Sequence, residues 1–206
     1  MAVMTKRIFV AGAAVALAVV AFGVYQAFRV RSEAAKWSGP IKEVVEEQVT
    51  HEDVVTRSRF VSLIDAPVAA VQQSLWDVEN SQNTVENIKL SKLLESKGNT
   101  KLVEIHLQSL NLPLQNFVML WTLYPDEHRI TFKTVKSQVQ DIEAQYQLEA
   151  SPDGTKTRVV YTTVANDKIA VPFPQSVMDS ANRETYVNTV RGVEKSIRRR
   201  AGGSAG

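Results

Sequence analysis

Three histidines, His51, His106 and His128, are the residues of this 206-residue chain best suited to proton transfer or metal ligation. His51 precedes Glu52 and Asp53, an order that could suggest an acid–base group. Ligands from one element must share a face at strand or helix spacing. No two of these histidines do, so no metal site is expected. The chain has no cysteine, which removes thiolate ligands, disulfides and a thiol nucleophile. It has no glycine-rich phosphate loop, nucleophile elbow or paired-carboxylate motif, and no cofactor is indicated. Asp141, Glu143 and Glu149 alternate with apolar residues and read as the solvated face of a strand.

What remains is apolar and aromatic. Trp76, Phe117, Met119, Trp121, Tyr146, Tyr161, Phe173, Met178 and Ala181 either fill a core or line an apolar cavity. Apolar pockets carrying a few polar groups are the usual small-molecule sites. Tyr146, Tyr161 and Thr163 would supply those groups. Arg198, Arg199 and Arg200 close the chain's last periodic segment. They complement a helix C-terminus or touch anionic headgroups, each contact with such a surface contributing about 1 kcal/mol.

These residues need elements to hold them. After the break Val171-Pro172-Phe173-Pro174, residues Met178, Ala181, Thr185, Tyr186, Val190, Val193 and Ile197 recur at helical spacing. Asp179, Arg183, Asn188, Glu194 and Lys195 take the other face of that helix. Upstream, residues 54–64 read as a strand, and Asp65-Ala66-Pro67 starts a helix, with Asp65 as its cap. Residues 90–96, 101–110, 114–124, 129–136, 142–148 and 157–164 then read as strands joined by tight turns, hence antiparallel. Residues 41–49 allow a short helix. One long amphipathic helix after a run of strands needs a sheet to lie on.

Residues 8–28 form a charge-free run between Lys6-Arg7 and Arg29 with Arg31. At about 1.5 Å per residue it reaches roughly 30 Å, the thickness of a bilayer's hydrocarbon core. The expected layout is a transmembrane anchor over 1–31, a stalk over 32–53, a domain over 54–200 and a flexible tail over 201–206. The domain is expected on the periplasmic side of a bacterial inner membrane. Four of the 24 cations fall within the first 31 residues, which hold no acid, so the rest carries 20 basic against 22 acidic residues. A nearly neutral domain is a poor nucleic-acid binder. No protein partner is indicated.

The order of these segments resembles the START-like superfamily, the SRPBCC group of polyketide cyclase and lipid-transport domains. The residues that carry the likeness are Asp65-Ala66-Pro67-Val68 opening a helix that ends Leu75-Trp76-Asp77-Val78-Glu79, the strand–glycine–strand segment from Lys92 to Val103, the hairpin Asp153-Gly154-Thr155 with Thr157-Arg158-Val159, and Arg191-Gly192-Val193-Glu194-Lys195 in the last helix. Ser81-Gln82-Asn83 is polar where that group often carries tryptophan or proline. The resemblance implies an α+β helix-grip fold, a curved antiparallel sheet wrapped around the C-terminal helix and enclosing an apolar cavity. It implies binding of a hydrophobic ligand such as a lipid, with transfer as one use of that binding. A cyclase- or aromatase-type enzyme and a ligand-free adaptor domain of an envelope complex are the alternatives.

Overall fold

The computed structural model describes residues 34–37, 41, 43–110, 112–169 and 173–202. The chain divides into two compact units, 1–40 and 41–206. Of the first, only residues 34–37 are described, and they are helical. The expected anchor over 8–28 lies outside the described residues. Among the described residues no helix is long and apolar enough to cross a membrane.

The second unit is built on one sheet. Its strands are β1 (Glu46–Glu52), β2 (Val55–Ile64), β3 (Ile88–Lys97), β4 (Thr100–Leu107), β5 (Gln115–Tyr124), β6 (Arg129–Ser137), β7 (Gln140–Ala150) and β8 (Thr157–Asp167). They lie in the order β1-β2-β8-β7-β6-β5-β4-β3, with every neighbour antiparallel. Helices α1 (Val68–Trp76) and α2 (Gln175–Gly202), with a 3-10 helix over Val78–Asn83, complete the unit. This is a helix-grip arrangement. Register shifts between Leu93 and Glu95 and between Val118 and Met119 interrupt the ladders, and such irregularities bend a sheet.

Period-two alternation decides the faces. On β5, Phe117, Met119 and Trp121 are buried, while Val118 and Leu120 are only partly so. On β7, Ala144, Tyr146 and Leu148 are buried between half-exposed or exposed polar neighbours. Those inward rows meet Tyr186, Val190 and Val193 of α2 in one core. The hairpin between β7 and β8 turns at Gly154 (φ +70°), where Asp153 accepts from the Thr155 amide at 3.1 Å.

Three expectations are corrected. Residues 46–52 are a strand, not part of a helix. A short isolated helix is marginal in water, whereas pairing along all of β1 with residues 55–61 of β2 satisfies this backbone. The glutamates there find cations: Glu46 pairs with Arg59 and Arg158, Glu47 with Arg183, and Glu43 just upstream with Arg191. Asp65 does not cap α1. That role falls to Pro67, whose carbonyl accepts the amides of Ala70 and Val71 at 3.0 and 3.2 Å. Asn188, assigned to the outer face of α2, is 6% exposed because residues 82–86 lie over that side of the helix.

Candidate ligand cavity

The C-terminal half of α2 is unusual for a core helix in carrying small and hydroxylic residues inward. Thr185, Thr189, Gly192 and Ser196 recur at three- and four-residue steps and share one face. Thr185 and Thr189 return their hydroxyls to the carbonyls four residues back, each at 2.8 Å. Thr185, Thr189 and Ser196 leave room between α2 and the sheet, while Gly192 lets α2 come close to Thr84 and Val85. The room is a cavity of about 510 Å³, bounded by α2, the 3-10 helix and the inner face of β3–β8.

Its deep wall is aromatic. Trp121 stacks on Phe132 with ring centroids 4.3 Å apart, Phe132 lies 5.9 Å from Tyr146, and Tyr146 stacks on Tyr161 at 4.8 Å. Tyr161 continues to Tyr186 at 5.5 Å, and Tyr186 to Phe60 at 5.1 Å. The row takes its rings from five strands and from α2. Such ring pairs contribute about 0.5–1.5 kcal/mol each beyond their burial, so the wall is stiff. Burial drives the Tyr146 phenol well above its ordinary range, helped by Tyr161 and Tyr186 and partly offset by the Thr189 hydroxyl. Burial likewise pushes Tyr161 up to about 12, against a hydrogen bond with Thr163. Both phenols are therefore neutral at physiological pH, polar handles rather than bases.

The mouth is polar. Asp77, Asn80, Ser81, Ser196, Arg199 and Arg200 ring it. Arg200 Nη2 donates to Asp77 Oδ2 at 2.8 Å, tying the last turns of α2 to the end of α1. Asn80 Nδ2 donates to the other carboxylate oxygen of Asp77 at 2.7 Å. Below the mouth, Asn87 donates to Ser109 and Thr185 at 2.9 and 3.0 Å, pinning the start of β3 to α2.

Of the nine residues expected in the cavity wall, the structure brings five together: Phe117, Met119, Trp121, Tyr146 and Tyr161. Four stand elsewhere. Trp76 is half-buried against the core beside the cavity, under Lys101, whose Nζ sits 4.6 Å from its ring centroid and donates to Glu79. Phe173 is exposed, and Met178 and Ala181 belong to the first turns of α2, beyond the cavity's end. Arg199 and Arg200 are at the mouth, while Arg198 lies on the neighbouring outer surface. The sequence reading overlooked Asp77, Ser81, Thr189 and Gly192. The recurrence of small residues along α2 was the signal that could have found the last two. Among the described residues, no cluster of His, Asp or Glu could hold a metal ion. His51 reaches Asp179 at 3.2 Å, and His106 reaches Glu104 at 2.9 Å.

No protein-family model and no curated protein matches the sequence. Solved structures do match the fold. The Zhui aromatase/cyclase of Streptomyces sp. R1128 superposes with a TM-score of 0.64 at 14% identity, covering 74% of this chain and 99% of that one. A START superfamily protein from Mycobacterium smegmatis gives 0.55 at 12%, covering 69% and 97%. Ara h 8.0201 gives 0.55 at 11%, covering 70% and 99%. At these identities the likeness is one of architecture: the chain has a START/SRPBCC-like fold.

Proposed function

We propose that this domain binds a hydrophobic ligand, such as a lipid, in the cavity beneath α2, and that it binds without catalysing. The observation that supports this most is the cavity itself. About 510 Å³ of space lies within a core whose other residues are closely packed, a volume typical of small-molecule sites. A filled-core adaptor would have no reason to keep it. A cyclase-type reaction would need an interior base, and the titratable groups of the deep wall are phenols held neutral. On this reading residues 8–28 tether the domain to a membrane, on the periplasmic side if the chain is exported, and the exposed Arg198 and Arg199 lie against anionic headgroups while Arg200 turns to Asp77. The tether keeps the domain where such ligands reside, and transfer between membranes is one use of it.

Photolabelling tests the proposal. The full chain in phosphatidylcholine vesicles is irradiated with a neutral diazirine-bearing fatty alcohol and digested with trypsin. Binding predicts label in peptide 102–129, which carries Phe117, Met119 and Trp121, and in 184–191, which carries Thr185 and Thr189. Label confined to residues 8–28 would defeat the proposal.

A further inference from the structure

The mouth of the cavity holds more hydrogen-bond donors than the protein uses. Arg200 spends Nη2 on Asp77, but its Nη1 is buried with no acceptor in reach. The Ser81 hydroxyl is buried without a partner as well. A guanidinium offers five donors, and leaving one buried and unmade is costly. Arg199 borders the same opening, and no ion pair is recorded for it among the described residues. Charged residues around the cavity are therefore two arginines against one aspartate, Asp77. Every charge sits at one end. The opposite wall is the stacked row from Trp121 to Tyr161.

From this polarity we infer that the ligand is an amphipathic anion, an apolar chain or ring bearing one carboxylate or phosphate, and that the Asp77–Arg200 pair is the latch its headgroup displaces. The inference rests on the binding reading above and names the ligand's chemical class. A planar guanidinium holds a carboxylate or phosphate through two parallel donors, so an incoming oxyanion can use both Nη2 and the idle Nη1. The exchange replaces one anion by another at Arg200. Asp77 keeps the Asn80 amide at 2.7 Å and is not stranded. Electrostatic cost at the mouth is thus nearly cancelled, and burial of the apolar body drives binding. A neutral ester gains that burial but cannot replace Asp77. Release of the latch also removes the ion pair between Asp77 at the end of α1 and the last turns of α2, while Ser74 still donates to the Val193 carbonyl at 3.4 Å.

Competition against the neutral photoprobe tests this on the full chain in the same vesicles. The competitors are 1-naphthaleneacetate and dodecanoate, each against its methyl ester, with inorganic phosphate alone as the headgroup without a body. We expect each acid to outcompete its ester by at least about tenfold, the scale of a charge-assisted pair. Arg200→Gln should abolish that preference. Asp77→Asn, which removes the rival carboxylate, should strengthen the acids. Arg199→Gln serves as the second variant should Arg200→Gln fold poorly, and should reduce the preference. Raising salt should shrink it too. Equal competition by acid and ester, or a preference that survives both arginine variants, overturns the inference while the cavity label keeps the binding reading intact. Phosphate competing as well as the acids also overturns it, since the site would then serve a free anion. Absence of cavity label with the photoprobe alone would remove both.

Discussion

Gly192 of α2 lies so close to Val85 that a Cβ placed on it would fall 2.6 Å from Val85 Cγ2 and 3.2 Å from the Thr84 backbone. This contact sets the height of the cavity mouth, because it fixes how near α2 runs to the segment after the 3-10 helix.

Gly192→Ala therefore pits two effects against each other. Alanine favours a helix interior by about 1 kcal/mol over glycine. The clash is with backbone as well as a side chain, and overpacking of that kind costs about 1–3 kcal/mol. We expect a net loss of stability in urea denaturation of the full chain. A more stable variant would show that α2 and Thr84 are not held this close.

Thr157 is fully buried and donates to the Ala66 carbonyl at 2.7 Å, joining the start of β8 to the approach of α1. Thr157→Val keeps the shape and orphans that carbonyl. The expected loss is about 1–3 kcal/mol by the same denaturation measurement. A neutral result would mean the carbonyl finds water.

Ala181 is 5% exposed and lies outside the cavity. Ala181→Phe is thus expected to cost about 1–3 kcal/mol by overpacking and to leave photolabelling of peptide 102–129 unchanged. Label lost at full stability would place the ligand along the first turns of α2 instead.

The phenols give an alkaline signature. Unfolded tyrosines ionise near 10, while Tyr161 is pushed up to about 12 and Tyr146 is also raised. Between those values the unfolded chain has lost protons that the folded one keeps, so stability is intact below pH 10 and falls from there towards 12. Absorbance at the tyrosinate band should show these phenols ionising only with the loss of near-ultraviolet circular dichroism. A separate titration near pH 10 with the fold retained would mean they are solvated.

Most strands were legible because glycine, proline or asparagine marked the turns at 98–99, 111–113, 125 and 152–154, and because runs such as Asp141 to Glu149 alternated. β1 was not, since Glu46, Glu47 and His51 give no alternation, and its partner strand supplies what the local sequence lacks. The deep wall could be read from Phe117, Met119 and Trp121, whose period of two puts them together. Trp76 could not be placed, because its orientation depends on Lys101, 25 residues away. The mouth was hidden for a similar reason. Asp77 and Arg200 are 123 residues apart, and only the closed fold makes them neighbours.

The most direct test of ligand binding uses Thr189, which lines the cavity midway along the helical half of its wall. Thr189→Phe grows into that space if the space is real, giving up the hydroxyl contact with Tyr146. Stability and photolabelling are measured together on the full chain. The account predicts stability within about 1 kcal/mol of the parent, and loss of label from peptides 102–129 and 184–191. Destabilisation of about 1–3 kcal/mol, the cost of overpacking a filled core, together with no cavity label in the parent, would contradict it.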